Sequence, residues 1–85
     1  MKVAISVPDY SPKDGLRMVW EEGSVISAEI DGGTVLITAN REGLVSLARL
    51  LLTLADERVP DGNHWHLDGS NAFEDGSCEV IIKKG

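Results

Sequence analysis

Residues 39–57 read ANREGLVSLARLLLTLADE and form the one run of this chain that has helical spacing. Asn40 precedes the apolar pattern, and its side chain can accept from backbone N–H groups two or three residues on, as a helix N-cap does. The spacing predicts a helix over about residues 41–57. The face that we expect to be buried repeats every three or four residues and consists of Leu44, Leu47, Ala48, Leu51, Leu54 and Ala55.

The predicted helix is apolar over more than this one face. Val45, Leu50 and Leu52 widen the apolar side. The remaining polar stripe is narrow and consists of Ser46, Arg49, Thr53, Asp56 and Glu57. A helix with one side fully in water normally has a broader polar face, so the extra leucines indicate either a binding surface or a dimer interface.

Segments with the composition of strands lie on both sides of the helix. Gly32–Gly33 separates two of them and is a hairpin signal, because glycine accepts the positive φ that a tight turn needs. The segment HWHLD (64–68) alternates, with the histidines on one face and Trp65 and Leu67 on the other. The complete set of strand-like segments is 2–7 (an edge strand or an ordered arm), 16–21, 24–31, 34–39, 64–68 and 77–84.

The segments between these strands are rich in turn residues. Residues 8–15 and 69–76 read as loops, with Phe73 as an inward anchor of the second. One helix can cover one face of an antiparallel sheet. We therefore expect a single α+β domain over residues 1–85, a two-layer sandwich in which a mainly antiparallel sheet of five or six strands is covered by the helix.

Composition and charge restrict the class of protein. The 85 residues carry a net charge of −6, which disfavours nucleic acid or an anionic membrane as partner. The leucine-rich helix contains charged residues, which excludes a membrane span. The N-terminus lacks the pattern of a secretory signal and Cys78 is the one cysteine, so we expect a cytoplasmic protein. Acidity suits a basic protein partner, although solubility alone would also explain it.

Few residues suggest catalysis or metal binding. His64, His66 and Asp68 alternate on one strand face and could act as ligands for zinc or iron, but a fourth ligand is missing. Cys78 would need a neighbouring histidine or cation to become a nucleophile. A solvated polar face and a small buried thiol are the simpler interpretations. We expect no catalytic residue, metal or cofactor, and keep a small metal- or cysteine-dependent enzyme as an alternative.

Several short motifs in the second half resemble a known family when taken together and in order. They are N-x-x-G-L from Asn40, the helix that follows, Val59–Pro60, H-x-H-L-D from His64 and G-S-x-E from Gly76. Over about residues 40–83 this order is similar to immunity-protein family thirty-two of bacterial polymorphic toxin systems. The N-terminal half offers little to compare.

The resemblance implies a role in binding and not in catalysis. Members of the family are thought to neutralise a cognate toxin domain by binding it. Acidic and polar residues in the predicted loops and on the polar strand face are the candidate partner surface, because a rigid scaffold can present them there: Glu21, Glu22, Asp61, His64, His66, Asp68, Glu74 and Asp75. A homodimeric structural domain is the other alternative.

Overall fold

The computed structural model describes all 85 residues and contains one helix and four strands. The two antiparallel pairs are formed by β1 with β2 and by β3 with β4. The helix α1 lies between these pairs in the sequence. In chain order the elements are β1 Ile26–Asp31, β2 Thr34–Ala39, α1 Arg41–Ala55, β3 His64–Leu67 and β4 Val80–Lys83.

The first hairpin confirms the prediction made from Gly32–Gly33. Asp31 pairs with Thr34 across the two glycines, and the register continues to Ile26 opposite Ala39. Gly32 has φ +61, whereas Gly33 has no positive φ. Positive φ at the first central residue alone is the pattern of a type II′ turn, which matches the twist of a hairpin.

The second hairpin places the alternating HWHL segment as the sequence predicts. Trp65 and Leu67 are buried and the two histidines between them are exposed. Trp65 donates its indole N–H to the carbonyl of Leu50 at 2.8 Å, which ties the hairpin to the middle of α1. Lys84 follows β4 and donates its ammonium group to the carbonyls of Asp56 and Val59, so the C-terminus of the chain also holds the end of the helix.

The expected sheet of five or six strands is wrong. The structure has two separate two-stranded sheets, and residues 1–25 contribute only an isolated bridge between Ser11 and Gly15. The fold is still a mixture of helix and antiparallel strands. Residues 2–7 and 16–21 form no strand, so the interpretation of 2–7 as an arm is the one that fits.

Local hydrogen bonding explains why the strands do not merge into one sheet. The backbone N–H of Glu21 goes to the hydroxyl of Ser46 on the helix and not to a neighbouring strand. The loop before β4 occupies the outer edge of β1. The backbone N–H of Glu74 donates to the carbonyl of Ile26, and that of Cys78 donates to the carbonyl of Ala28. Pro8 and Pro12 lack the N–H that a ladder requires.

The helix begins and ends close to the predicted positions. Asn40 is the N-cap and accepts from the backbone N–H of Gly43 at 2.8 Å, which confirms that prediction. Regular helix stops at Ala55, two residues before the expected end. The carboxylate of Asp56 accepts from the backbone and the guanidinium of Arg58, and this local pairing replaces a further turn.

The predicted buried face of the helix is confirmed at Leu54 and wrong at Leu44, Leu51 and Ala55, because most of the polar stripe points inward. Ser46, Arg49 and Thr53 are buried, together with Leu50 and Leu54. Leu44 is 58% exposed, and Leu51 and Leu52 are also exposed. Relative to the expectation, the helix is rotated so that serine and threonine lie in the interior and three leucines face solvent.

Two side-chain features account for this rotation. A Cβ at Gly43 would lie 2.8 Å from Ile26 Cγ1 and 2.9 Å from the Val25 carbonyl, so only glycine allows this close approach of helix and strand. Ser46 Oγ accepts from Glu21 N–H and lies 2.8 Å from Ser24 Oγ. Buried hydroxyls need partners of this kind, and the N-terminal segment supplies them.

The core is small and lies between the helix and the inner faces of the two hairpins. Trp65 and Phe73 are its largest members, which confirms the prediction of Phe73 as an inward anchor. Trp20 is partly buried against the same cluster. No helix of the structure combines the length and the apolar character needed to span a membrane. The buried hydrophobic core consists of Ile26, Ala28, Leu50, Leu54, Val59, Trp65, Leu67 and Phe73.

Candidate functional site

Three polar side chains meet on the outer face of the second hairpin. His66 Nε2 lies 3.0 Å from Glu79 Oε2 and 3.6 Å from Asp68 Oδ2. His66 is opposite Ile81 in the β3–β4 register, and Asp68 and Glu79 immediately flank the Leu67–Val80 pair where the hairpin opens. The alternation of the two strands therefore delivers all three groups to the same side.

The loop after β3 fixes the position of Asp68. Its carboxylate accepts from the backbone N–H of Ser70 at 2.9 Å and from the Ser70 hydroxyl at 2.6 Å. These hydrogen bonds, with a smaller contribution from nearby His66, lower the pKa of the Asp68 carboxyl. Asn71 closes the loop by accepting from Asp68 N–H and donating to the His66 carbonyl. The hydrogen-bonded turn of residues 68–71 therefore holds the Asp68 carboxylate in place beside His66.

The geometry of this group permits two kinds of chemistry. The ligand atoms of His66, Asp68 and Glu79 all lie within 4.8 Å of one another, a spacing that could hold a divalent cation. The same residues can equally form a solvated ion-pair cluster, since all three are partly or largely exposed. The sequence analysis did not identify Glu79 as part of this group. Its proximity to His66 depends on the register between β3 and β4, which the sequence does not reveal.

The thiol of Cys78 is separated from this group. Cys78 is partly buried and packs against the core cluster on the inner side, whereas His66 is exposed on the outer side. The pairing of thiol and imidazole that a cysteine nucleophile would use is therefore not formed. The geometry gives no support to a cysteine-dependent enzyme that would use Cys78 with His64 or His66.

The remaining predicted partner residues fall in three other places. Glu21 is paired with buried Arg49 at 2.6 Å and serves to anchor the N-terminal segment, while Glu22 beside it is exposed. Asp61 and His64 lie at the start of the second hairpin, and both are exposed. Glu74 and Asp75 are exposed in the loop along the outer edge of β1. Of the predicted set, only His66 and Asp68 are brought into direct contact.

The distribution of charge shows a broader acidic surface than the predicted set. Residues 18–40 contain four carboxylates and residues 59–82 contain five, and neither range contains lysine or arginine. These two ranges form both hairpins apart from Lys83, and they meet where the loop of Glu74 lies against β1. Three exposed carboxylates join the predicted residues on this surface. They are Glu29, Asp31 and Glu79.

The end of the first hairpin is also exposed and apolar. Ile30, Val35 and Ile37 lie on one face of the β1–β2 pair, as their register shows, and all three are exposed. On the opposite face Leu36 is exposed across from Glu29. Contiguous apolar groups bordered by charge are typical of protein interaction sites. Leu36 adds apolar contact area to the face of Glu29 and Asp31, whereas Ile30, Val35 and Ile37 form an apolar face on the other side of the hairpin.

Comparison with known proteins identifies one protein family. The family model described as immunity protein 32 matches residues 34–85, which is more than half of the chain. Neither curated proteins nor solved structures give a match. The matched range includes β2, α1 and the whole second hairpin, and it contains the residues 40–83 on which the resemblance was based. The chain belongs to the immunity protein 32 family.

Proposed function

We propose that this protein neutralises a cognate toxin domain by direct binding, in the cytoplasm of the cell that makes both. The observation that carries the proposal is the family match over residues 34–85. An immunity protein that acts by binding needs a rigid surface and no catalytic centre. The exposed polar groups on the strand faces and loops of the two hairpins support a role in binding.

The acidic surface is the proposed site of contact. It comprises the exposed carboxylates Glu74 and Asp75 of the loop along β1, and Glu79 with His66 and Asp68 on the second hairpin. Lys83 is the one cation on the hairpins and shares the face of His66 and Glu79. The carboxylates outnumber it and create a net negative field, which accelerates encounter with a positively charged partner. A toxin domain with a basic face is the partner that fits this surface.

Co-expression tests the proposed function. The probe is the C-terminal domain of the protein encoded by the reading frame immediately upstream, expressed from an inducible promoter in a heterologous bacterium. We expect growth to stop when the domain is expressed alone and to resume when this protein is expressed with it. Continued growth arrest in the presence of the folded protein would contradict the proposal.

A matched pair of variants tests the contact surface. The triple variant Glu74→Gln, Asp75→Asn and Glu79→Gln removes three charges from the acidic surface. The control Asp9→Asn, Asp14→Asn and Glu57→Gln removes three exposed charges elsewhere. We expect the first variant to associate about tenfold more slowly at low salt and the control to change much less. Equal effects of the two variants would reject this surface.

The exposed leucines of α1 favour a second candidate, a homodimer formed through the helix. Leu44, Leu51 and Leu52 are exposed, and Leu52 borders a shallow groove that also contains Val7 and Ala55. Sedimentation of the wild type against Leu52→Glu tests this candidate. A concentration-dependent dimer that the substitution abolishes would support it, and a monomer at every concentration would exclude it. Leu50 is unsuitable for the test because it is only 1% exposed.

A further inference from the structure

The outer edge of β2 presents backbone groups that have no partner in the chain. In an antiparallel pair, residues alternate between those bonded to the partner strand and those that point away from it. On β1, Ile26 and Ala28 point away, since their carbonyls accept from Glu74 and Cys78 of the loop. Their neighbours across the ladder are Ala39 and Ile37, so these residues and Val35 direct their backbone groups outward from β2.

The β2 edge lacks the features that normally prevent a strand from pairing with another chain. Native proteins protect sheet edges with charged residues, proline, bulges or very short strands. TVLITA (34–39) has no charge and no proline, and its six residues follow an unbroken register with β1. By contrast, β4 is four residues long and ends in Lys83. The outer edge of β1 is covered by the loop of Glu74.

We propose that the β2 edge binds an extended segment of the toxin domain, which adds a third strand to the first hairpin. This inference rests on the proposed function and specifies how the contact is made. Backbone hydrogen bonds to Val35 and Ile37 would provide much of the affinity, and alternate side chains of the added strand would provide specificity. The apolar face at Ile30, Val35 and Ile37 selects a segment with apolar residues at every second position.

Charge identifies the partner as a basic protein and not a second copy of this chain. Glu29 and Asp31 share the opposite face of the hairpin from Ile30. Lysine or arginine on that face of an added strand would lie about 10 Å away, two strand spacings, which is comparable to the screening length at physiological salt. A second copy would instead place its own Glu29 and Asp31 in the same sheet and bring together two chains of charge −6.

Two variants at one position separate the backbone contribution from that of the side chain. Ile37→Ala removes apolar contact and keeps the N–H, whereas Ile37→Pro also removes the N–H that points outward. Proline is tolerated on an edge where its nitrogen faces solvent, so β1 should remain paired. With the C-terminal domain encoded upstream as the probe, we expect Ile37→Ala to weaken binding several-fold and Ile37→Pro to weaken it about tenfold more. Equal affinities of the two variants would overturn the proposal.

Amide exchange in the wild type gives an independent test, which also applies if Ile37→Pro does not fold. By NMR, the amides of Leu36 and Thr38, which pair with β1, should exchange slowly with and without the upstream domain. The amides of Val35 and Ile37 should exchange rapidly in the free protein and at least about tenfold more slowly in the complex. Unchanged exchange at Val35 and Ile37 would overturn the proposal.

The possible failures are distinguishable. If the upstream domain does not bind the wild type, both the proposed function and the edge contact are wrong. If it binds and neutralisation is normal while the β2 amides stay unprotected, only the edge contact is wrong. If the protein alone forms a dimer that Ile37→Pro dissociates, the occupant of the edge is a second copy and the assignment to a toxin segment is overturned.

Discussion

Gly43 and Ser46 decide the packing of the helix although neither has a large side chain. Gly43 allows the helix to approach within contact of Ile26 and Val25. Ser46 is fully buried one turn later and accepts the backbone N–H of Glu21. Together they set which side of α1 faces inward, and the leucines take the positions that remain.

Replacing Gly43 with alanine tests this close approach. The added Cβ would meet the Ile26 side chain and the Val25 carbonyl at less than 3 Å. Overpacking of this kind typically destabilises a protein by about 1–3 kcal/mol. The higher helix propensity of alanine offsets at most about 1 kcal/mol of this loss. We expect Gly43→Ala to lower the free energy of unfolding in urea. Gly33→Ala is the matched control, since nothing lies within 4 Å and its φ is not positive. A Gly43→Ala protein as stable as the control would contradict the packing described.

The carboxyl of Asp56 provides a prediction about pH. Its hydrogen bonds from the side chain and backbone of Arg58 lower the pKa from 3.8 to about 2. Because the folded-state pKa is depressed, the stabilising contribution is fully present above pH 3.8 and is lost as the pH falls through about 2.

Carboxyl NMR titration checks this value directly. We expect the pKa of Asp56 to be near 2 in the wild type and to rise towards 3.8 in Arg58→Gln, which removes the largest cause of the shift. Arg41→Gln, at the other end of the helix, should leave it unchanged. An Asp56 pKa that does not respond to Arg58→Gln would show that the pairing is absent in solution.

At the scale of elements, the sequence predicts the positions of the helix and the strands along the chain. It predicts their orientation in the fold less well. Asn40 and the apolar run give the helix, Gly32–Gly33 gives the hairpin, and the HWHL alternation gives β3, because each is a local signal. The orientation of α1 could not be predicted, since leucines occur on nearly every side and hydropathy favours no single rotation. The deciding contacts come from Glu21, Ser24 and Ile26, which are distant in sequence.

The same reasoning explains the error in the sheet. Residues 16–21 have the composition of a strand, but their register partners would have to come from distant parts of the chain. The N-terminal segment instead crosses the helix, where Arg49 holds it by donating to the Ser6 carbonyl and the Glu21 carboxylate. Long-range hydrogen bonds of this kind leave no periodic signal in the sequence.

Arg49 therefore has a testable structural role. Its guanidinium is nearly buried and joins two points of the N-terminal segment to α1. Arg49→Gln should shorten this reach and increase hydrogen exchange in residues 1–25, while exchange in the two hairpins changes little. The exposed Arg41→Gln is the control. Unaltered exchange at the N-terminus would mean that other contacts hold the segment.

At the scale of the whole molecule, the two hairpins form an acidic side on which Lys83 is the one cation, and the other lysines and arginines lie in the N-terminal segment, in the helix region and at Lys84. The sequence predicts part of this surface, because the carboxylates of the loops and of the polar strand face are visible in it. It does not predict the contact of Glu79 with His66 or the ion pair of Glu21 with Arg49. It also does not predict that the outer edge of β2 pairs with no other strand. Those features depend on register and on the rotation of the helix.

The most direct test of binding as the basis of neutralisation is a calorimetric titration of this protein into the C-terminal domain encoded immediately upstream, at about 150 mM salt. We predict a 1:1 complex with a dissociation constant below about 1 μM, which corresponds to at least about 8 kcal/mol of binding free energy. Absence of a complex between the two folded proteins would contradict the account.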